Sequence, residues 1–169
     1  MSQQQTTLEE FRSLTPIMPR EMIGLWRGRG IPADHPFDGV LENLGWFGKR
    51  FTPDMRADAL LFQSDKGKLV AIDPRWIPIG MALRFHKLGR ASVARSLSSY
   101  LQFQFRARGP VASLVTMMFG GVESAAMVYD EQPIVDHFRR IDEERIMGAM
   151  TINGDERIYF FELERVDEP

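Results

Sequence analysis

Five apolar segments separated by turn signals fill the chain from residue 111 to residue 166, and they constrain the fold more than any other feature. They run over 111–119, 122–130, 134–141, 145–152 and 157–166. The pairs Gly120-Gly121, Gln132-Pro133 and Asn153-Gly154 lie between neighbouring segments and are typical of turns. Short strands joined by tight turns predict an antiparallel meander, and a meander hides its edges by closing into a barrel.

A further strand is predicted upstream, over 101–107. Leu101, Phe103 and Phe105 alternate there with polar residues. Alternation with a period of two is typical of a strand that buries one face. We therefore expect these three side chains to point into the barrel.

The segment Gly-Leu-Trp-Arg-Gly-Arg-Gly at 24–30 predicts the first strand. In an extended chain Trp26 shares its face with glycines alone, so that face is nearly bare backbone around one large ring. Gly24 and Gly28 then have a structural role, because they let neighbouring elements close over Trp26.

Two elements are predicted between this strand and the meander. Apolar residues at helical spacing predict a helix from about Phe37 to Phe47. Two apolar runs around Ser64 predict a hairpin over 59–74, in which Gly67 supplies a positive φ. The segment 76–89 reads either as a short helix or as an irregular apolar lid.

The composition excludes several kinds of site and partner. The chain has 169 residues and no cysteine, which excludes disulfides, thiolate catalysis and cysteine zinc sites. The histidines His35, His86 and His137 lack metal-ligand spacing, so no metal site is expected. A net charge of −2 supplies no global field to attract nucleic acid, so no nucleic-acid partner is expected.

The amino-terminal residues and the apolar runs bear on location. The first residues lack the basic start and apolar core of a signal peptide. No run approaches the roughly 18 apolar residues that a membrane span needs. A cytoplasmic location without a membrane span is therefore expected.

Asp136 is a candidate catalytic residue because it alternates with Ile134 and Phe138 and should share their face. If that face is the interior, burial raises the pKa of the carboxyl group and suits it to general acid–base chemistry. Two other arrangements stay open. Asp136 could form a structural ion pair with an arginine, or it could face solvent while Val135 and His137 point inward.

Three neighbours of Asp136 complete the candidate polar set. Asp130 ends an apolar strand and is a second candidate acid or base. His137 could assist it. Tyr129 could orient a polar group of a ligand, or could simply end its strand.

The strands are rich in Phe and Met, and the chain holds 12 Phe and 10 Met, which favours an adaptable apolar interior. For each candidate lining residue, plain core packing is the alternative to ligand contact. These residues are Phe103, Phe105, Met117, Met127, Phe138 and Phe161.

Several blocks resemble known families. Gly24-Leu25-Trp26-Arg27-Gly28 matches the motif that names the GXWXG domain, and the block 46–51 looks like the second block of that domain. The stretches 126–130 and 133–139 resemble the signature of domain of unknown function 4334, and 147–150 and 160–163 fit its last two strands. The resemblance implies no agreed activity.

A wider similarity links the Gly-x-Trp pattern to calycin-type barrels, namely lipocalins, fatty-acid-binding proteins and nitrobindins. In these proteins the tryptophan plugs one end of the barrel, which is the role implied for Trp26. Nitrobindins hold haem through a histidine near the carboxyl terminus. Here only His137 lies in the late strands, and its neighbours do not match that site.

These observations predict a mainly β fold with minor α content: a calycin-like antiparallel barrel with a helical insertion after the first strand. One domain spans 1–169, with the segments 22–51 and 100–166 closing the same barrel. The expected function is binding of a hydrophobic small molecule without a cofactor, and a homodimer is possible.

Two other functions stay open. One is an isomerase, cyclase or lyase that acts on an apolar metabolite with Asp136 or Asp130 as acid or base. The other is a nitrobindin-like haem protein.

Overall fold

The computed structural model describes residues 1–76 and 102–168. The helices are α1 (Gln3–Ser13) and α2 (Val40–Asn43), with short 3₁₀ turns at Pro19–Met22 and Pro74–Trp76. The strands are β1 (Gly24–Ile31), β2 (Trp46–Phe51), β3 (Arg56–Gln63), β4 (Leu69–Ala71), β5 (Ala112–Phe119), β6 (Val122–Tyr129), β7 (Ile134–Arg140), β8 (Arg145–Ile152) and β9 (Asp155–Val166).

Eight of these strands form a closed antiparallel barrel. Each pairs with two neighbours in the ring β1-β2-β3-β5-β6-β7-β8-β9, and β1 pairs with β9 to close it. The three-residue strand β4 pairs with β3 beside the ring. The predicted barrel with minor α content is thus confirmed, and none of the described helices is long and apolar enough to cross a membrane.

Turn chemistry sets the hairpins as the sequence predicts. Gly120 and Gly121 take φ values of 60° and 79° between β5 and β6, and Gly154 takes 88° between β8 and β9. Gly67 takes 73° in the hairpin of β3 and β4. Because glycine has no Cβ, it enters this left-handed region without steric cost.

The predicted helix over 37–47 is wrong in extent. α2 contains four residues, and Gly45 takes a φ of 79° immediately before β2 begins at Trp46. In β2 both Gly48 and Lys49 are buried, so the strand lacks the alternation that marks a half-buried strand. The sequence of β2 therefore does not show the alternating pattern from which a strand could be predicted.

The predicted strand over 101–107 is also wrong for its described residues. Residues 102–104 form a helical turn, and Arg106 makes only a single bridge with Ile72. The backbone hydrogen bonds of this segment to Ala71 and Asp73 lie at the end of β4, which has only three residues, so only a short ladder forms there. Phe103, expected inside, is 83% exposed. Residues 77–89 of the predicted lid lie outside the described residues.

The core has two parts on opposite faces of the sheet. The barrel interior holds the larger cluster, which includes Trp26, whose indole Nε1 donates a hydrogen bond to the carbonyl oxygen of Met22 (2.7 Å). The smaller cluster lies outside the barrel, where Phe11 of α1 covers Met147 and Phe160. α1 therefore closes the outer face of β8 and β9.

Candidate functional site

A buried polar cluster lies inside the barrel, formed by Lys49 of β2, Tyr129 of β6 and Asp136 of β7. Lys49 Nζ lies 2.9 Å from Asp136 Oδ2, and the two side chains are 3% and 0% exposed. Lys49 Nζ also donates to the carbonyl oxygen of Ala59 (2.9 Å) and to the Tyr129 hydroxyl (3.4 Å). The ammonium group thus contacts three oxygens.

Strand register directs these side chains inward. Lys49 is the cross-strand partner of Trp26, and Asp136 is the partner of Met127. Since paired residues on neighbouring strands share a face, Lys49 and Asp136 share the face of two interior core residues. Of the alternatives left open by the sequence, Asp136 faces inward and its cation is a lysine.

Aromatic rings surround the ammonium group of Lys49. Its Nζ lies 5.1 Å from the ring centroid of Phe161 and 5.8 Å from those of Trp46 and Tyr129. A cation within about 6 Å of a ring face is attracted by the ring quadrupole. The rings therefore compensate part of the hydration that Lys49 loses.

Burial dominates the electrostatics of the cluster. It raises the pKa of the Asp136 carboxyl group, an effect that the nearby Lys49 ammonium opposes and the Tyr129 hydroxyl opposes less. Burial, with the Asp136 charge, also raises the pKa of Tyr129 well above its usual value. Tyr129 is therefore a neutral hydrogen-bonding group at ordinary pH.

Among the described residues, two interior side chains have oxygen atoms without a hydrogen bond of ordinary geometry. One is Asp136, whose Oδ2 has the ion pair with Lys49 and whose Oδ1 has no such contact. The other is Tyr159 on β9, whose hydroxyl has no hydrogen bond and whose side chain is 1% exposed. Buried polar groups in folded proteins nearly always have a partner, so each such atom needs an explanation.

Asp130 does not belong to this cluster. Its carboxylate lies at the surface, where Arg56 Nη1 donates to Asp130 Oδ1 (2.9 Å). This ion pair lowers the pKa of Asp130. A carboxyl group held ionised at the surface does not suit the interior acid–base role predicted for it, and its position next to the turn after β6 explains this.

His137 lies on the opposite face of β7 from Asp136. Its ring stacks on Phe119 (centroids 4.0 Å apart) in the region that α1 covers. Burial, together with the charge of Arg139, lowers the pKa of His137 to about 4. His137 therefore points away from Asp136 and from the barrel interior.

The predicted lining residues divide between the two faces. Met127, Phe138 and Phe161 are buried in the interior, and Phe105 packs against them partly buried. Met117 is on the outer face instead, because it is an odd number of residues from Leu114, which points inward.

Lys49 was missed by sequence reasoning. A signal for it exists in the register, since Lys49 lies opposite Trp26, but using that signal requires knowing that 46–51 is a strand. Among the described residues, no group of three or more His, Asp or Glu side chains could hold a metal ion.

Trp46 separates the cluster from the surface. Its ring lies across β1 at Gly28, where an added Cβ would be 2.3 Å from Trp46 Cη2. Trp46 and Gly28 also line a surface pocket of about 500 Å³ together with Arg27, Phe47 and Gln63. The same indole thus contacts a surface pocket on one side and faces Lys49 on the other.

Two family models match the chain. One, described as GXWXG protein, matches residues 9–67, and the other, domain of unknown function DUF4334, matches residues 110–165. Each model covers less than half of the chain, so the two segments are similar to a GXWXG protein and to a DUF4334 domain, respectively. The GXWXG segment supplies Lys49, and the DUF4334 domain supplies Tyr129, Asp136 and Tyr159.

A solved structure resembles this chain over nearly its full length. It is the crystal structure of a protein from Thermomonospora curvata, with a TM-score of 0.70 and 28% sequence identity. The alignment covers 96% of this chain and 87% of the other. No curated protein matches the chain.

Proposed function

We propose that this protein binds a small molecule, apolar except for a polar group, inside the barrel beside Lys49, Tyr129 and Asp136. The observation that carries the proposal is the complete burial of this polar cluster among aromatic rings. Small barrels of eight strands have room for one small ligand, and ligand sites combine an apolar lining with a few polar groups.

The energetics of the ion pair support a functional role. Desolvating two charges costs more than their attraction returns in many proteins, and replacing a buried pair by apolar residues is often neutral or stabilising. A lysine and an aspartate inside a small barrel are therefore poorly explained by stability. Charged groups in such an environment are concentrated at functional sites.

One wall of the interior carries small side chains. The inward positions occupied by alanine on β3, β5 and β6 are Ala57, Ala59, Ala112 and Ala125. These alanines lie among the larger inward side chains Phe62, Leu114 and Met127 of the same strands, and they fill less space than the aromatic residues of β9 do. This asymmetry supports occupation of the interior by a further molecule.

Native mass spectrometry of the protein purified from its own host tests the proposal. We expect a bound small molecule, and we expect 2-naphthol to bind when its fluorescence is followed. Absence of both a co-purifying molecule and naphthol binding would contradict the proposal.

A matched pair of double variants locates the site. Lys49→Met/Asp136→Leu removes the interior pair without leaving a lone charge, and Arg56→Met/Asp130→Leu removes a surface pair. The interior variant should lose affinity by roughly 10- to 100-fold, the equivalent of one hydrogen bond to a charged group. The surface variant should bind as the wild type does.

Acid–base catalysis on the bound molecule is a second candidate function. The observation that favours it is a buried carboxyl group with a raised pKa that lies 2.9 Å from the Lys49 ammonium group. Isomerases, cyclases and lyases need such a group. Turnover of the co-purified molecule that disappears in Asp136→Asn, while the molecule still binds, would establish catalysis; binding without turnover in the wild type would exclude it.

A further inference from the structure

Tyr159 places a second unpartnered polar group in the interior. The residue is two positions from Phe161 on β9, so both side chains are on the same face, and both belong to the interior cluster. Its hydroxyl has no hydrogen-bond partner although the side chain is 1% exposed. A phenylalanine would fill the same space without a buried, unpaired hydroxyl.

The Tyr159 hydroxyl lies where a side chain at Gly30 would otherwise be. A Cβ at Gly30 of β1 would be 2.7 Å from this oxygen and 2.6 Å from Glu42 Oε1. Glu42 Oε1 accepts a hydrogen bond from the backbone N–H of Gly30 (2.5 Å). The hydroxyl therefore lies at the end of β1, close to a carboxylate that already has a partner.

A continuous aromatic surface joins the two unpartnered oxygens. The Tyr159 and Phe161 rings are stacked with centroids 6.0 Å apart, and Phe161 lies 5.1 Å from Lys49 Nζ. Lys49 in turn is paired with Asp136. A flat molecule lying along these rings would meet Asp136 at one end and Tyr159 at the other.

The chemistry at each end selects the groups of the ligand. An ionised carboxylate only accepts hydrogen bonds, so a ligand group at Asp136 must offer an O–H or N–H donor in addition to those of Lys49 and Tyr129. The Tyr159 hydroxyl both donates and accepts. Because carboxylates lie near both ends, namely Asp136 and Glu42, an anionic ligand group is disfavoured at either one.

We propose that Tyr159 determines specificity in the interior site, and that its ligands are flat, uncharged molecules of about two fused rings with a hydroxyl group at each end. The inference rests on the proposed function. One hydroxyl donates to Asp136 Oδ1, and the other exchanges a hydrogen bond with the Tyr159 hydroxyl. Tyr159 acts in binding through contact with the ligand.

A probe series of one shape tests this directly. The probes are 2-naphthol, 2,6-dihydroxynaphthalene and 6-hydroxy-2-naphthoate, titrated against the intact protein. We expect the wild type to bind the diol about tenfold more tightly than 2-naphthol, the gain from one added hydrogen bond. We expect the carboxylate probe to bind more weakly than 2-naphthol.

The variants Tyr159→Phe and Tyr129→Phe are matched, because each removes one hydroxyl. Tyr159→Phe should reduce the diol preference to about onefold, whereas Tyr129→Phe should weaken both hydroxylated probes and keep the preference. The midpoint of thermal unfolding of Tyr159→Phe without probe should not fall, because the hydroxyl has no partner to lose. A fall of several degrees would indicate a structural hydroxyl and overturn the inference.

The outcomes distinguish a failure of the role of Tyr159 from a failure of the proposed ligand binding in the interior. If the probes bind without a preference for the diol, or if Tyr159→Phe keeps that preference, the role of Tyr159 is wrong and interior binding stands. If no probe binds the wild type but a small molecule co-purifies with it, the role of Tyr159 is wrong and interior binding stands. If no probe binds and nothing co-purifies, both fail.

Discussion

At the scale of single residues, the charge compensation between Lys49 and Asp136 determines how stable the barrel interior is. Each is tolerable in the core because the other is 2.9 Å away. Removing one partner leaves an uncompensated buried charge, which is far more costly than removing both. Substitution of either residue alone is therefore expected to destabilise the protein.

This balance predicts the effect of Lys49→Met on stability. We expect the free energy of unfolding at pH 7 to fall by about 3–5 kcal/mol, because the Asp136 carboxylate stays buried without its cation. Urea denaturation measures the change.

The double variant Lys49→Met/Asp136→Leu is the control for that measurement. It should recover most of the loss, since no charge remains in the core. Equal stabilities for Lys49→Met and the wild type would show that the ion pair does not govern the interior.

His137 predicts a dependence of stability on pH. The folded pKa of His137, about 4, lies below its ordinary value of 6.5, so the unfolded chain binds this proton more readily. The stabilisation from His137 is therefore complete above about pH 6.5 and is lost as the pH falls towards 4. Unfolding free energies measured across this range should decline in the wild type.

The variant His137→Phe isolates this contribution. It keeps an aromatic ring against Phe119 but cannot bind a proton, so its unfolding free energy should fall less over the same range. An unchanged slope would assign the pH dependence to other groups.

The sequence predicted the position of a residue correctly where the alternation pattern of a single strand was enough to place it. Asp136 could be placed on the face of Ile134 and Phe138 from alternation alone, and that face is the interior. Lys49 and Tyr159 needed more, because their importance comes from neighbours on other strands. A single sequence carries no direct signal of such cross-strand distances.

At the scale of elements, the close approach of β1 and β2 depends on two glycines. A Cβ at Gly48 would lie 1.9 Å from the backbone oxygen of Trp26, and a Cβ at Gly28 would enter the ring of Trp46. The glycines thus set how tightly Trp46 covers the interior.

We therefore expect Gly28→Ala to lower the free energy of unfolding by roughly 1–3 kcal/mol, the usual cost of overpacking. Gly109→Ala is the matched control, because an added Cβ there meets no atom within 4 Å of it among the described residues. Thermal unfolding of both variants gives the comparison, and equal losses would show that contact with Trp46 is unimportant.

The elements differ in how well the sequence predicts them. β5 to β9 are bounded by glycine and other turn residues whose conformational preference is local, so their ends are predictable. β2 has register shifts that interrupt the alternation of buried residues, and the 101–107 segment meets only the end of the three-residue strand β4. In both cases tertiary pairing overrides the local pattern.

At the scale of the whole molecule, the barrel has two seams between the segments matched by the family models. β1 pairs with β9, and β3 pairs with β5. Each segment alone would expose strand edges and half of the interior. The predicted single domain follows if neither segment can fold without the other.

Expression of residues 1–109 and 110–169 as separate chains tests this organisation. Neither fragment should unfold cooperatively alone, and mixing them should restore a cooperative transition by re-forming both seams. Circular dichroism during thermal unfolding provides the measurement. A cooperative transition in the 110–169 fragment alone would show two domains.

The pairing of β1 with β9 also means that the barrel cannot close until the end of the described sequence has been synthesised. β1 is the first of the described strands to leave the ribosome, and β9 is the last. At ordinary translation rates β1 waits on the order of ten seconds for its partner. During that delay the nascent chain has an unpaired strand edge next to Trp26. The glycine-rich strand β1, which completes the barrel, is therefore also exposed to pairing with a wrong strand.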